Sequence, residues 1–205
     1  MDSQFDQRNE SGDSLHIDKI GGIDLFLLDQ VLKGNIHREM NILEVGCGYG
    51  KNLPFFLESK YHISGIDKDP KAIHSIQRHL KTQYPKVELS RFQVQDILTY
   101  TDESSSYDAI LCLAVLHTLE PNEYETALVN IWKMLSKGGI LIIRTYVKGV
   151  GEEFSLKGDS DGYTLVPHTE LLEMLEKLGG KQYEPANVLL SKKNKPILSA
   201  YLFKV

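Results

Sequence analysis

The chain has 205 residues, of which 41% are hydrophobic and 25% are charged, and its formal net charge is −5. This length suits one domain with an adequate core, and the composition excludes a collagen-like or wholly disordered chain. The negative charge argues against tight nucleic-acid binding, which needs clustered Lys and Arg, so we expect no nucleic-acid partner.

Cysteine usage and hydropathy bear on the compartment. The two cysteines, Cys47 and Cys112, form neither a disulfide framework nor a metal-binding spacing, which indicates a reducing compartment and no metal site. No stretch approaches the roughly 20 apolar residues of a membrane span, and residues 1–18 lack the apolar core of a signal peptide. We expect a cytoplasmic protein that does not bind membranes. We also expect it to be a monomer or a homodimer.

The N-terminal residues 1–20 are mostly polar and are predicted to be a flexible segment, while residues 21–205 form the domain. The domain begins with a helix, because the apolar residues between Ile23 and Leu32 recur at helical spacing. Gly34 suits the C-terminal cap of this helix.

Strands and helices then alternate along the chain. Buried strands are predicted at residues 41–45, 62–66, 92–95 and 107–112 and from residue 140 onward. One helix begins at Asp69 and Pro70, an N-cap followed by proline at the first helical position. Another has apolar residues at helical spacing from Tyr124 to Leu135 and is expected to end before Gly138. This alternation implies parallel strands joined by right-handed crossovers.

The pattern changes after the fifth strand. Residues 148–166 contain several glycines and lack periodicity, so they are predicted to form a long loop that acts with the N-terminal segment as a lid. A last helix ends at Gly179. Residues 188–190 and 197–203 flank a short turn and can pair only as an antiparallel hairpin.

Three features follow strand ends, where open α/β sheets bind ligands. The first strand leads into Glu44-Val45-Gly46-Cys47-Gly48-Tyr49-Gly50, whose glycines let the backbone approach a ligand closely. The second strand leads to Asp67, whose carboxylate suits the two hydroxyls of a ribose. The third leads to Gln95-Asp96-Ile97, which suits the edge and face of an adenine. Together these features predict a nucleoside site.

The glycine spacing G-x-G-x-G differs from the dinucleotide fingerprint, which disfavours a nicotinamide-dependent oxidoreductase. The glycine turn is followed in order by Asp67, Gln95-Asp96, Tyr107-Asp108-Ala109-Ile110 and Leu135-Ser136-Lys137-Gly138-Gly139. In this order the sequence resembles the class I S-adenosylmethionine-dependent methyltransferases over roughly residues 40–145, and within them the small-molecule enzymes of the tellurite-resistance and thiopurine type. The resemblance implies an α/β fold with a Rossmann-like, seven-stranded, mostly parallel sheet flanked by helices and ending in a C-terminal antiparallel hairpin.

The resemblance also implies S-adenosyl-L-methionine as the cofactor and a set of residues that contact it. Its methionine end is held by Glu44, Gly46 and Gly48. Asp67 holds the ribose, and Asp96 and Ile97 frame the adenine. Either Lys51 or Asn52, at the start of the next helix, meets the methionine carboxylate. The other cofactor contacts implied by the resemblance are Cys47, Lys68, Gln95 and Leu113.

Two residues are candidates for catalysis. His117 follows strand four, in the segment that lies beside the reactive methyl group in this family, and an imidazole can accept a proton near pH 7. Tyr146 is predicted to lie on the loop after strand five, where it could line a substrate pocket. The alternative for His117 is that it packs and hydrogen-bonds at the start of a helical turn.

The chemistry explains why these candidates are few. A sulfonium is already an activated methyl donor, so the protein mainly has to align donor and nucleophile and to exclude water. We therefore expect a methyltransferase that acts on a small-molecule nucleophile. Two alternatives stay open: a non-catalytic adaptor or sensor that binds S-adenosylmethionine, and a protein or peptide methyltransferase.

Overall fold

The computed structural model describes residues 22–100, 102, 106–148, 165–190 and 196–204, and five α-helices and eight strands lie within these residues. The helices are α1 (Leu25–Leu32), α2 (Leu53–Glu58), α3 (Pro70–Gln83), α4 (Tyr124–Met134) and α5 (His168–Lys177). The strands are β1 (Asn41–Val45), β2 (His62–Asp67), β3 (Phe92–Val94), β4 (Tyr107–Leu113), β5 (Leu135–Lys148), β6 (Val166–Pro167), β7 (Gly180–Leu190) and β8 (Pro196–Lys204). The predicted N-terminal segment and residues 149–164 of the predicted lid lie outside the described residues.

The described strands form one main sheet in the order β3-β2-β1-β4-β5-β8-β7. The first five of these are parallel to one another, whereas β8 pairs antiparallel with both β5 and β7. The two-residue strand β6 pairs with the end of β5 outside this order. This arrangement confirms the predicted seven-stranded, mostly parallel sheet with its terminal antiparallel hairpin.

Helices cover both faces of the sheet, and the residues of β1 show how the sequence builds two cores. Ile42 packs with α1, α2 and α3 on one face, whereas Leu43 and Val45 pack with α4 and α5 on the other. Successive residues of a strand point to opposite faces, so a central strand that is covered on both faces consists mainly of apolar residues. No helix among the described residues is long and apolar enough to cross a membrane.

The helix starts follow the predicted chemistry. The Asp24 side chain caps α1 by accepting the backbone N–H groups of Phe26 and Leu27. The Asp69 side chain caps α3 by accepting the N–H of Lys71 at 2.9 Å, with Pro70 in the first turn. Both caps satisfy donors that a helix leaves unpaired at its N-terminus.

The predicted start of the fifth strand is wrong, because β5 begins at Leu135 and not at residue 140. Leu135 pairs with Tyr107 of β4, and a bulge follows between Tyr107 and Ala109. The two glycines therefore lie within the strand. A Cβ on Gly139 would come within 3.0 Å of the Asp108 carbonyl oxygen, so glycine permits the close approach of β4 and β5 at this bulge.

The C-terminal hairpin is longer than predicted, since β7 starts at Gly180 and not at residue 188. Its register with β8 shifts between Gln182 and Glu184 and again between Glu184 and Asn187. Each shift breaks the alternation of inward and outward residues by which a strand is recognised in a sequence. The first half of β7 was missed for this reason.

Candidate functional site

Two adjoining clefts open at the carboxyl ends of β1, β2, β4 and β5, and they share Ala114 as a common wall. The first cleft has a volume of about 170 Å³ and contains six of the predicted cofactor residues: Gly46, Asp67, Lys68, Gln95, Asp96 and Ile97. The second has a volume of about 320 Å³ and is lined in part by Leu113, His117 and Tyr146. The carboxyl ends of the strands thus bring together nine residues that the sequence analysis selected.

The glycine turn after β1 is tied to the end of β2. The N–H groups of Gly46 and Cys47 both donate to the carbonyl oxygen of Ile66, at 2.8 and 3.1 Å. Gly46 and Gly48 have φ values of +65° and +53°, in the left-handed region that favours glycine. A Cβ on Gly46 would overlap the Val115 side chain, so this backbone forms a wall of the first cleft that no larger residue could form unchanged.

The carboxylate of Asp67 fixes this turn from the side of β2. Its Oδ2 accepts the N–H of Gly48 at 2.8 Å, and its Oδ1 accepts the N–H of Asp69 at 2.8 Å. An ionised carboxylate has about four acceptor positions, so both oxygens keep capacity for a further donor. Asp67 lines the first cleft, and this capacity suits the hydroxyl groups of a ribose.

The turn after β3 is held by a residue that the sequence analysis missed. Asn130 of α4 is buried, and its amide donates to the carbonyl oxygens of Ile97 and Leu98 at 2.8 and 3.1 Å. The Asp96 carboxylate completes the turn by accepting the N–H of Leu98 at 3.0 Å. The signal was present in the sequence, because Asn130 is a polar residue on the apolar face of a predicted helix.

Glu44, in β1 two residues before the glycine turn begins at Gly46, is 4% exposed and is not among the residues that line either cleft. Its Oε1 accepts a hydrogen bond of 2.6 Å from the Asn52 amide, while Oε2 has no hydrogen-bond partner among the described residues. Burial raises the pKa of Glu44 from 4.5 to about 7; the Asn52 hydrogen bond opposes the rise, and the nearby Asp24 and Asp67 carboxylates add to it. A buried, unpaired carboxylate oxygen fits a cationic group or a hydrogen-bond donor of a bound cofactor.

A chain of contacts links Glu44 to β5. The Oδ1 of Asn52 accepts the N–H of Asp24 at 3.0 Å, so both polar atoms of this buried amide bond within the protein. The Asp24 carboxylate in turn forms an ion pair with Arg144, whose guanidinium lies over the Phe26 ring at 4.7 Å. Asn52 therefore positions Glu44 and the start of α1, and its predicted contact with the cofactor stays a prediction.

Cys47 and Gly48 belong to the glycine turn but are not among the residues that line either cleft. The Cys47 thiol is buried against Gly65, where an added Cβ would lie 2.9 Å from its sulfur. Burial raises the pKa of this thiol, and the negative charges of Glu44 and Asp67 raise it further. The Cys47 thiol therefore packs in its protonated form, its backbone N–H serves the turn, and its predicted contact with the cofactor stays a prediction.

His117 and Tyr146 meet in the second cleft, with ring centroids 4.5 Å apart. The predicted loop position of Tyr146 is wrong, because β5 continues to Lys148 and pairs Tyr146 with Ile197 of β8. The buried Nδ1 of His117 accepts the N–H of Tyr146 at 3.4 Å and lies 3.2 Å from the Thr145 hydroxyl. Because a backbone N–H only donates, the neutral ring carries its proton on Nε2. This tautomer makes His117 a donor at Nε2, so a role as general base stays a prediction that the geometry does not favour.

Comparison with known proteins identifies the domain. Residues 42–139 match the family of methyltransferase domains. The tRNA N(3)-methylcytidine methyltransferase trm140 of Schizosaccharomyces pombe is 25% identical over 157 residues, which cover 68% of this chain and 51% of that protein. The tRNA N(3)-methylcytidine methyltransferase Mettl2 of Drosophila melanogaster is 25% identical over 158 residues, 68% of this chain and 48% of that protein. The chain thus spans about half the length of these curated relatives.

Solved structures share the fold. The magnesium protoporphyrin IX methyltransferase of Synechocystis PCC 6803 superposes with a TM-score of 0.71 at 16% identity, covering 89% of this chain and 81% of that one. A TehB-like S-adenosylmethionine-dependent methyltransferase from Corynebacterium glutamicum gives a TM-score of 0.63 at 22% identity, with 90% of each chain covered. At these identities the likeness establishes the fold alone.

The predicted small-molecule acceptor and the predicted absence of a nucleic-acid partner are wrong, because these relatives by sequence are named for methylation of tRNA. The error has a physical cause. Net charge sums all surface charges, whereas the substrate is selected by the few groups that surround the site. The match over residues 42–139 shows a methyltransferase domain in this chain, and the sheet order and the glycine turn are those expected of the class I S-adenosylmethionine-dependent methyltransferases.

Proposed function

We propose that this chain transfers a methyl group from S-adenosylmethionine to N3 of a cytosine in tRNA. The observation that carries the proposal is the similarity over 68% of the chain to proteins named as tRNA N(3)-methylcytidine methyltransferases. The human tRNA N(3)-cytidine methyltransferase METTL6, 28% identical over 113 residues, supports the same acceptor. Since the chain spans about half of the longer relatives, this activity is a proposal for the chain as it stands.

The first cleft would hold the adenosine part of the cofactor. Asp67 would accept the ribose hydroxyls, and the turn of Gln95, Asp96 and Ile97 would frame the adenine. The unpaired Oε2 of Glu44, close to the glycine turn, would face the methionine end. When bound, S-adenosylmethionine supplies a methyl group on a positively charged sulfur, which a nucleophile can take directly.

The acceptor chemistry needs little from the protein. Neutral cytosine carries a lone pair on N3, so N3 forms the new bond to the methyl carbon while the electron pair of the carbon–sulfur bond returns to sulfur. The positive charge moves to the base, and no proton has to leave N3. A general base is therefore unnecessary, which agrees with the tautomer of His117 that the Tyr146 N–H selects.

A net charge of −5 does not oppose this function. An enzyme that modifies a base takes the nucleotide out of its stack and reads the faces and edge of the base in a pocket. That recognition depends on aromatic surface and on a few hydrogen-bonding groups at the site. The second cleft offers both, in Tyr146 and Arg144.

The test is methylation of unmodified tRNA transcripts by the purified chain with S-adenosylmethionine. The tRNA is digested to nucleosides, and 3-methylcytidine is identified by mass spectrometry. We expect 3-methylcytidine to accumulate with the wild-type chain and its rate to fall at least tenfold in Asp67→Ala, through weakened cofactor binding. Methylation of another nucleoside, or none by a chain that binds S-adenosylhomocysteine, would overturn the proposed acceptor.

A cytoplasmic location is part of the proposal. Its support is that Cys47 and Cys112 are both free thiols, as expected of a reducing compartment. Microscopy of the tagged chain in its own cells tests it, and an exclusively extracytoplasmic signal would contradict it.

A further inference from the structure

The second cleft holds an ion pair that the proposed cofactor contacts do not use. Asp24, at the start of α1, and Arg144, near the end of β5, both line this cleft with Tyr146 and His117. Their side chains are 10% and 27% exposed, so the pair is partly buried at the cleft wall. The pair lines the second cleft and not the predicted adenosine cleft, and Ala114 lines both.

Arg144 is held in place by several contacts. One terminal nitrogen pairs with Asp24, the guanidinium plane lies over Phe26 at 4.7 Å, and its backbone carbonyl oxygen accepts the N–H of Ala114 at 2.7 Å. Its Nε is buried and has no hydrogen-bond partner among the described residues. A guanidinium has five N–H donors, so a rigidly held group with one nitrogen engaged keeps donors for a ligand.

The charges of the pair select the kind of ligand. Asp24 neutralises Arg144, so a carboxylate or phosphate gains little in this cleft, and Arg144 likewise screens Asp24 from a cationic ligand. A neutral group with a carbonyl oxygen suits the spare donors best. The aromatic rings of His117 and Tyr146 in the same cleft suit a flat, uncharged ring.

We propose that Arg144 is a specificity-determining residue that donates a hydrogen bond to the O2 carbonyl of the target cytosine. This inference rests on the proposed function. O2 is bonded to C2, the ring atom next to N3, so a donor fixed on O2 sets the position of the attacking nitrogen. Asp24 holds the guanidinium in this orientation, and because the ion pair carries no net charge, it adds little repulsion to the positive charge that the base acquires on methylation.

The test pairs a change in the residue with a change in the atom that it contacts. The methylated cytidine is first mapped in tRNA, and the tRNA is then assembled with cytidine or 2-thiocytidine at that position, because sulfur accepts hydrogen bonds poorly. Rates are compared for wild type, Arg144→Ala and Arg144→Lys, with affinity for S-adenosylhomocysteine measured by calorimetry. Arg78→Ala, which removes an exposed arginine from α3, controls for the lost charge.

We expect Arg144→Ala to lower kcat/KM for tRNA by roughly 10- to 100-fold, as for loss of a hydrogen bond from a charged donor. Replacing oxygen with sulfur should slow the wild type about tenfold but should change the rate of Arg144→Ala by less than about threefold, because the partner is already gone. The lysine variant should recover part of the rate. Affinity for S-adenosylhomocysteine should stay within about twofold in all variants.

Three results would overturn the inference. We call the loss of rate on replacing O2 with sulfur the thio effect. If the thio effect were equal in wild type and Arg144→Ala, Arg144 would not contact O2. A large loss of S-adenosylhomocysteine affinity would show that Arg144 supports the cofactor site, directly or through Asp24 and Asn52, instead of contacting the base. Absence of 3-methylcytidine with the wild-type chain would remove the proposed function as well. If Arg144→Ala does not fold, Asp24→Asn provides the comparison, since Asn still caps α1 while the orienting charge is gone, and it should also reduce the thio effect.

Discussion

Gly46 lies directly against Val115, so that a Cβ on Gly46 would overlap the Cγ2 methyl of Val115. The turn after β1 and the segment after β4 are thereby packed together at the wall of the first cleft. We expect Gly46→Ala to lose both stability and cofactor affinity, because it combines overlap with a φ of +65°. Strain of about 1–2 kcal/mol from the left-handed backbone adds to the overlap.

The double variant Gly46→Ala/Val115→Ala separates the cost of the overlap from the cost of the backbone strain. It removes the Val115 methyl group that the added Cβ would overlap. Its melting temperature should lie between those of wild type and Gly46→Ala. Gly48→Ala is the matched control, because its φ is +53° but nothing lies within 4 Å of an added Cβ, so it carries the backbone strain alone. If Gly46→Ala were no less stable than Gly48→Ala, the contact with Val115 would not matter.

The second prediction concerns Asp67→Ala. Affinity for S-adenosylhomocysteine, measured by calorimetry, should fall by about 1.5–3 kcal/mol through the loss of a charged partner for the ribose. Asp69→Ala is the control two residues away, because it removes the α3 cap and not a cleft wall. It should cost about 1 kcal/mol of stability and leave the affinity unchanged. Equal affinity losses in both variants would contradict the ribose assignment.

The third prediction concerns pH and Glu44. Its pKa is raised by burial from 4.5 to about 7, so the folded state retains a proton that the unfolded chain releases in this interval. The stability that Glu44 contributes is complete below pH 4.5 and is lost as the pH rises to about 7, by an amount on the order of 3 kcal/mol.

Denaturant unfolding of wild type and Glu44→Gln across this pH range tests the prediction. The difference in unfolding free energy between the two should change with pH in favour of the variant as the pH rises, because glutamine has no proton to lose. Glu125→Gln, on the exposed face of α4, should keep the pH dependence of the wild type. A constant difference between wild type and Glu44→Gln would show that Glu44 titrates near its ordinary value.

The fourth prediction concerns Asn130→Ala. The variant leaves the carbonyl oxygens of Ile97 and Leu98 without their partner, at a cost of about 1–3 kcal/mol in stability. Because these carbonyls shape the turn beside the first cleft, the affinity for S-adenosylhomocysteine should also fall. It is measured well below the melting temperature of the variant, where the protein is folded. Asn122→Ala, at an exposed asparagine before α4, should change neither property. A stability loss with unchanged affinity would limit Asn130 to packing.

Much of the fold could be predicted from the sequence because its signals are local. The strand β1 was predicted at its observed bounds, since a run of apolar residues ends at a glycine turn. The α3 cap at Asp69 and Pro70 likewise depends only on adjacent residues. Where two strands had to fit each other, as at the bulge beside Gly139 and in the shifted hairpin, the sequence of one strand did not contain the information.

The candidate site likewise has one part that the sequence predicts and one part that it does not. Gly46, Asp67 and Asp96 follow strand ends and were found by position, whereas the pair of Asp24 and Arg144 joins residues 120 positions apart in the chain. No spacing within the sequence marks such a pair. The second cleft could not be predicted for a related reason, since the residues that line it come from α1, β4, β5 and β8 and are not adjacent in sequence.

Both cysteines are buried, so the rate at which a reagent labels each thiol reports how often the surrounding structure opens. Burial raises the pKa of Cys112 to about 12 and also raises that of Cys47, so neither thiol forms an appreciable thiolate until its surroundings open. Cys112 lies in the centre of the sheet, whereas Cys47 lies in the glycine turn. The labelling rate of Cys112 by a thiol reagent would therefore time the opening of the whole sheet, and that of Cys47 would time local opening at the turn.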